Sequence, residues 1–337
     1  MNIKKRLIQK NWSVIEVAYE NGPTYELLSI GATLTKWISR DGTNLVAGYE
    51  DYLDYSKGGM YLGTCVGLIS GRIASATCKI EGSEYHFNSK EKHYLHGGDK
   101  GLSFQNFEVS SITENDDKVT IEFSTQMVPE EIGGLVSVKI AYELRNDGFR
   151  IDFFAKTSKT TLCNLTNHSY FNLDGDFLLD LSHHSLELNA SKAVMVDDEI
   201  LGTEIIDVNN TVFDFRNAKS LMPSIMNPLL KSQKANGFDH FFLLDNHIKP
   251  AVVLYSSKSN RRLNIKTDYP GVTIYTTNYP NKKRIHNSYP LSLHSAIAIE
   301  PQYQSNAIND DRFEGYLLKP NQNYHHFIDY CLWEDKQ

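Results

Sequence analysis

Alternation of apolar and polar residues with a period of two constrains the fold of this chain more than any other feature. In residues 136–144 (VSVKIAYEL), Val136, Val138, Ile140, Tyr142 and Leu144 fall on one face, while Ser137, Lys139 and Glu143 fall on the other. Successive side chains of a strand point to opposite faces, so such a run reads as a half-buried β-strand. The same texture recurs in VTIEFST (119–125), HSLELNA (184–190), RLNIKTD (262–268), VTIYTTN (272–278) and AIAIEPQ (296–302). Turn-forming clusters (ENDD, RNDG, LDGD, DVNN, LDN) interrupt these runs at short intervals, because Asn, Asp and Gly adopt the backbone angles that tight turns require. The pattern predicts an all-β protein, a large antiparallel sandwich or barrel with a few short helices. The best helical candidate is 217–234, which Pro223 and Pro228 limit to short pieces; DYLDYSK (51–57) is a second short helix or turn.

The 337 residues show no internal repeat, low-complexity tract or linker-like break, and the expectation is a single domain over 1–337. A net charge of −7 argues against a nucleic-acid partner, which needs a basic face to neutralise phosphates. The four cysteines (Cys65, Cys78, Cys163, Cys331) lack CxxC spacing and read as reduced thiols. The basic N-terminus, MNIKKRLIQKNW, leads into no secretory-type apolar stretch, and no run of about 18 apolar residues marks a membrane span. A soluble, cytoplasmic protein with no membrane partner is expected.

Polar clusters stand out against this apolar texture. The densest is NLTNHSYFNLDGD (164–176), where His168 lies among Asn164, Asn167 and Asn172, with Tyr170 and Phe171 on alternate faces. Buried amides must be hydrogen-bonded, and a ring of them can fix an imidazole tautomer. In GLISGRIAS (67–75), a small-residue loop presents Arg72 to a ligand hydroxyl. In HYLHGGDKG (93–101), the glycines let the backbone bend so that His96 projects into a cleft. The His93/His96 spacing is not a specific metal pattern, and no metal is expected. GFDHFFLLD (237–245) sets Asp239 at the entrance to an apolar strand, as a turn cap or an acceptor for two adjacent hydroxyls. Glu300 ends an apolar strand, with Pro301 expected to halt pairing; desolvation there raises its basicity toward that of a general base.

In order along the chain, GRI (71–73), LHGG (95–98), NLTNHSYFNLDG (164–175), GFDH (237–240), YTTNY (275–279) and EPQ (300–302) resemble the aldose 1-epimerase (galactose mutarotase) family. The likeness extends from GATLTKWIS near the N-terminus to NYHHFIDYCLW at the end. It implies the galactose mutarotase-like supersandwich and a site lined by Arg72, His96, His168, Asp239 and Glu300. It also implies Glu300 as general base on the anomeric hydroxyl and His168 as general acid on the ring oxygen. His96 then sits near the ring oxygen, and Arg72 and Asp239 hold hydroxyls of a monosaccharide. No cofactor is implied, and assembly goes no further than a possible homodimer. The chain departs from the family pattern at Gly71, where Asn is common, at Thr273, where Gln is common, at Ser305-Asn306, where proline-aspartate is usual, and at EIGG (131–134), where a GYPG-like turn is usual. Those departures bear on the preferred sugar more than on the reaction.

Three other readings compete with a free-hexose mutarotase. A hexose-6-phosphate mutarotase needs a basic pocket, for which the KKR run at 282–284 is the candidate. A glycoside hydrolase needs paired carboxylates, here Asp239 and Glu300, at a separation that decides between retention and inversion. A non-catalytic sugar-binding protein needs the pocket alone and gains nothing from His168 and Glu300.

Overall fold

The computed structural model describes residues 1–245, 250–286 and 288–334; Asn246 of the LDN turn signal lies outside them. Three antiparallel sheets carry most of the strands. The largest has nine, in the order Glu108–Glu114, Lys118–Met127, Val136–Arg145, Gly148–Thr157, Tyr324–Trp333, Arg262–Thr267, Val252–Ser256, His184–Leu188 and Lys219–Ser220. A six-stranded sheet runs Tyr170–Phe171, Ile297–Gln302, Gly271–Tyr275, Asp239–Leu243, Lys192–Val196 and Gly202–Asp207. The third is formed by Asn2–Ile8, Trp12–Ala18, Thr24–Leu28 and Thr33–Ile38.

The alternation read from the sequence governs the packing. Along Val136–Arg145 buried and half-buried positions alternate without a break, and the strand pairs residue for residue with both neighbours. Its inward side chains join one apolar cluster with Ile151, Leu254 and Ile265 of the same sheet. Phe242, Val272, Ile274, Ile297 and Ile299 of the six-stranded sheet belong to that cluster, as do Val17, Tyr25, Leu27 and Trp37 of the third. Each such Val, Leu or Ile contributes roughly 1.5–3 kcal/mol when fully buried. The architecture is a β-sandwich, one of the two forms the alternation predicts and the mutarotase-like one that the family resemblance implies.

Helices are few and short. The 217–234 stretch yields Leu221–Ile225 and Pro228–Ser232. Pro228 occupies a first-turn position where its missing N–H is harmless, and the Asn227 side chain accepts from Leu229 N–H at 3.0 Å. Residues Tyr52–Ser56 form one 3₁₀ stretch. All four cysteines are free thiols, and among the described residues no helix is long and apolar enough to cross a membrane.

Pro301 does not halt pairing. Its strand continues to Gln302, with Pro301 opposite Val272. On the other edge the neighbour Tyr170–Phe171 pairs only with Ala298 and Ile297, so no ladder there requires an N–H from Pro301. Its carbonyl accepts from the Thr166 hydroxyl at 2.7 Å.

Candidate active site

Register sorts the residues of the six-stranded sheet onto two faces. Asp239 lies opposite Tyr275, Tyr275 opposite Ala298 and Ala298 opposite Tyr170, while Phe241, Thr273 and Glu300 form the adjacent row. Directly opposed residues share a face. The intervening residues Phe242, Val272, Ile274, Ile297 and Ile299 point into the core. From these rows Tyr170, Asp239, Phe241, Thr273, Tyr275 and Glu300 floor a cavity of about 260 Å³, below the roughly 300–1,000 Å³ of sites for drug-sized ligands. Arg72, His96, His168, Asp239 and Glu300, drawn from five distant segments, all line it. His93 does not: its Nδ1 accepts from Ser75 N–H, and its Nε2 lies 3.2 Å from Glu199.

At the centre, His168 Nε2 stands 3.4 Å from Glu300 Oε1, with both side chains almost wholly buried. His168 is pinned through its backbone, its N–H donating to Thr64 C=O and its C=O accepting from Gly63 N–H. Its ring stacks on Tyr170 at 5.0 Å and meets the edge of His96 at 5.4 Å. The surrounding amides act elsewhere than expected. Asn164 exchanges hydrogen bonds with the backbone of Tyr303, Asn167 donates to Gly63 C=O, and Asn172 donates to the Asp176 and Ser295 carbonyls. They satisfy backbone groups where irregular segments meet, rather than the imidazole. Among the described residues His168 Nδ1 and Glu300 Oε2 have no protein partner.

His96 is held in one ring state. Its Nδ1 accepts from Gly71 N–H at 3.1 Å, so in the neutral ring the proton resides on Nε2. His96, His168 and Glu300 offer ligand atoms within 4.8 Å of one another, the arrangement a small cation would need. A ring nitrogen ligates only through a free lone pair, and the Gly71 contact leaves His96 Nε2 a donor. The trio is therefore better suited to hydrogen-bonding an oxygen-rich ligand than to coordinating a metal.

Burial dominates the electrostatics. Desolvation pushes Glu300 well above its ordinary value, nearby Asp239 adds to the rise, and Arg72 opposes it. Desolvation lowers His168 to about 4 and His96 well below its ordinary value. Asp239 is also raised by desolvation, against the pull of Arg72, whose Nη1 is 3.8 Å from Asp239 Oδ2. The Asp239 N–H donates to His240 Nδ1 at 3.0 Å, anchoring the start of that strand.

Arg72 is the one Lys or Arg among the described residues lining the cavity. The KKR run lies elsewhere. Lys283 Nζ donates to Gly58 C=O at 2.8 Å and lies 3.8 Å from Asp54, and Arg284 is 3.5 Å from Glu50. Sequence reasoning missed Tyr61, which lines the cavity and meets His96 edge-on at 4.8 Å. Its backbone φ of 56° is uncommon for a non-glycine residue and is the type of outlier found at ligand sites. The only sequence signal was its place after the paired glycines of GGMYLG.

A β-sandwich whose outer sheet face floors a small polar cavity defines the class: a protein shaped to hold a small polar molecule. A family model for aldose 1-epimerase matches residues 13–331, and the chain belongs to that family. It is 31% identical to a galactose mutarotase of Homo sapiens over 316 residues, 89% of this chain and 88% of that protein. An aldose 1-epimerase of Haemophilus influenzae is 30% identical over 333 residues, covering 95% of each chain. Among solved structures, a galactose 1-epimerase from Lactobacillus acidophilus superposes with a TM-score of 0.86 at 25% identity, covering 99% of both chains. An aldose epimerase homologue from C. elegans gives 0.83 at 28% identity, covering 96% of this chain and 99% of the other. Family membership supports an isomerase acting on a sugar.

Proposed function

We propose that this chain, as one domain, interconverts the α and β anomers of a free hexose such as galactose or glucose, with Glu300 and His168 as the acid–base pair. The observation that carries the reading is the 3.4 Å contact between a buried carboxylate and a buried imidazole in a small polar cavity. Burial disfavours charge on either group, and it displaces Glu300 upward and His168 downward. Between those limits the pair holds one proton. It exists as a neutral acid beside a neutral imidazole, or as a carboxylate beside an imidazolium, and a single proton transfer interconverts the two.

The ionic form reacts with the closed sugar. The Glu300 carboxylate takes the proton of the anomeric hydroxyl while the His168 imidazolium protonates the ring oxygen, and the C1–O5 bond breaks. An open-chain aldehyde results beside a neutral pair, the state that burial favours. Rotation about C1–C2 exposes the other face of the carbonyl. His168 then takes back the O5 proton as O5 attacks C1, and Glu300 returns its proton to O1. Each positioned proton transfer is worth about 10²–10⁴ in rate. His96 donates from Nε2, and Arg72 and Asp239 hold hydroxyls. With Arg72 beside Asp239 and Glu300, the cavity offers no cationic excess for a phosphate, which favours the free sugar over its 6-phosphate.

Polarimetry on freshly dissolved α-galactose and α-glucose tests the assignment. Catalytic amounts of protein should hasten the approach to anomeric equilibrium. A time course equal to the buffer control for both sugars would refute it.

A further inference from the structure

The segment that follows the Glu300 strand returns to the Arg72 loop. Ser305 Oγ accepts from Arg72 N–H at 2.5 Å and donates to Arg72 C=O at 3.0 Å. One hydroxyl thereby satisfies both backbone polar groups of the residue whose guanidinium lines the cavity. The next side chain repeats the device, since Asn306 Oδ1 accepts from Ala74 N–H at 3.0 Å. One residue upstream, Gly71 N–H donates to His96 Nδ1, and Gly71 C=O accepts from His96 N–H. Ser305, Arg72, Gly71 and His96 form one chain of contacts.

Space at this junction is exclusive. Gly71 has φ +73°, and a Cβ there would stand 2.4 Å from Ser305 Oγ and 2.7 Å from Ser305 Cβ. Essentially no real Cβ approaches another atom so closely, so a side chain at 71 and a serine at 305 compete for one volume. Ser305 also borders the cavity, but its single proton is committed to Arg72 C=O. It has no donor to offer a sugar.

We propose that Ser305 is a positioning residue of this site, fixing the Gly71–Arg72 backbone and, through it, the aim of Arg72 and the ring state of His96. The proposal rests on the mutarotase reading for its kinetic consequence and not for its structural one. Because the strand bearing Glu300 delivers Ser305, the groups on either side of the bound sugar are located by one continuous segment. The serine at 305 and the glycine at 71 act as a matched pair.

Ser305→Ala and Ser305→Thr test this, read by ¹⁵N NMR of the histidine rings and by kcat and KM for the better hexose. For Ser305→Ala, kcat/KM should fall about tenfold, chiefly through KM, the scale of one lost hydrogen bond. The His96 signal should move from a pure Nε2–H tautomer toward a tautomeric average. Ser305→Thr keeps the hydroxyl and should restore both readouts. If threonine overpacks, Gly71→Asn serves instead: it should impair the protein when Ser305 is present and recover in part when combined with Ser305→Gly. An alanine variant with wild-type KM and an unchanged His96 tautomer overturns the proposal, even if its Tm is lower. Should the wild type prove inactive, the tautomer and calorimetric sugar affinity still decide the role of Ser305.

Discussion

The nine-stranded and six-stranded sheets obey the same alternation and use it differently. In the first, the face turned from the core meets water and carries cross-strand ion pairs, Lys118 with Glu143 at 2.6 Å and Lys139 with Glu122 at 2.7 Å. In the second, the corresponding face closes over a cavity. There Glu300, His168 and Asp239 lose their hydration without gaining a full set of partners. Ion pairs in water contribute little to stability, whereas desolvated groups cost stability and acquire altered proton affinity. One sheet is built to persist; the other holds groups whose proton affinity burial has altered.

The largest effect expected from this contrast is on turnover. His168→Asn should lower the mutarotation rate by about 10²–10⁴ while leaving the circular dichroism unchanged. A near-normal rate by polarimetry would transfer the acid role to His96. In the other sheet, Ile140→Ala removes a fully buried side chain and should cost about 2–5 kcal/mol in urea unfolding. The turnover of the molecules that remain folded should not change, and a parallel loss of kcat would erase the division between the sheets.

A third effect concerns stability and has an unusual sign. The folded protein holds the Glu300 proton more tightly than the unfolded chain does, so the carboxylate weakens folding increasingly as pH rises above its ordinary 4.5. Glu300→Gln carries no such cost. Calorimetry should therefore give this variant a Tm advantage over wild type that is small at pH 5 and larger at pH 8. An advantage that shrinks with pH would contradict the raised carboxyl. Smallest of all, Lys139→Ala breaks a half-exposed pair and should cost under about 1 kcal/mol, a loss that disappears in high salt.

The antiparallel β architecture was legible because period-two alternation reports burial directly, and Val136–Arg145 carries it without interruption; sandwich rather than barrel was legible only through the family motifs. The membership of the cavity was legible as well, since short motifs mark Arg72, His96, His168, Asp239 and Glu300. What the chain concealed were contacts between remote segments. Nothing near Arg72 announces Ser305, 233 residues away, and nothing near His96 reveals that Gly71 sets its tautomer. The amides around His168 misled because a polar side chain declares a need for hydrogen bonds and not the direction in which it meets them. At Pro301 the local rule failed for a similar reason: a missing N–H matters only where a neighbouring strand asks for it.

The central claim, that the buried carboxylate moves the anomeric proton, meets its most direct test in Glu300→Gln. Polarimetry on freshly dissolved α-hexose should give the uncatalysed time course, while titration calorimetry on the same preparation shows the sugar still bound. A glutamine variant that turns over at the wild-type rate would contradict the account.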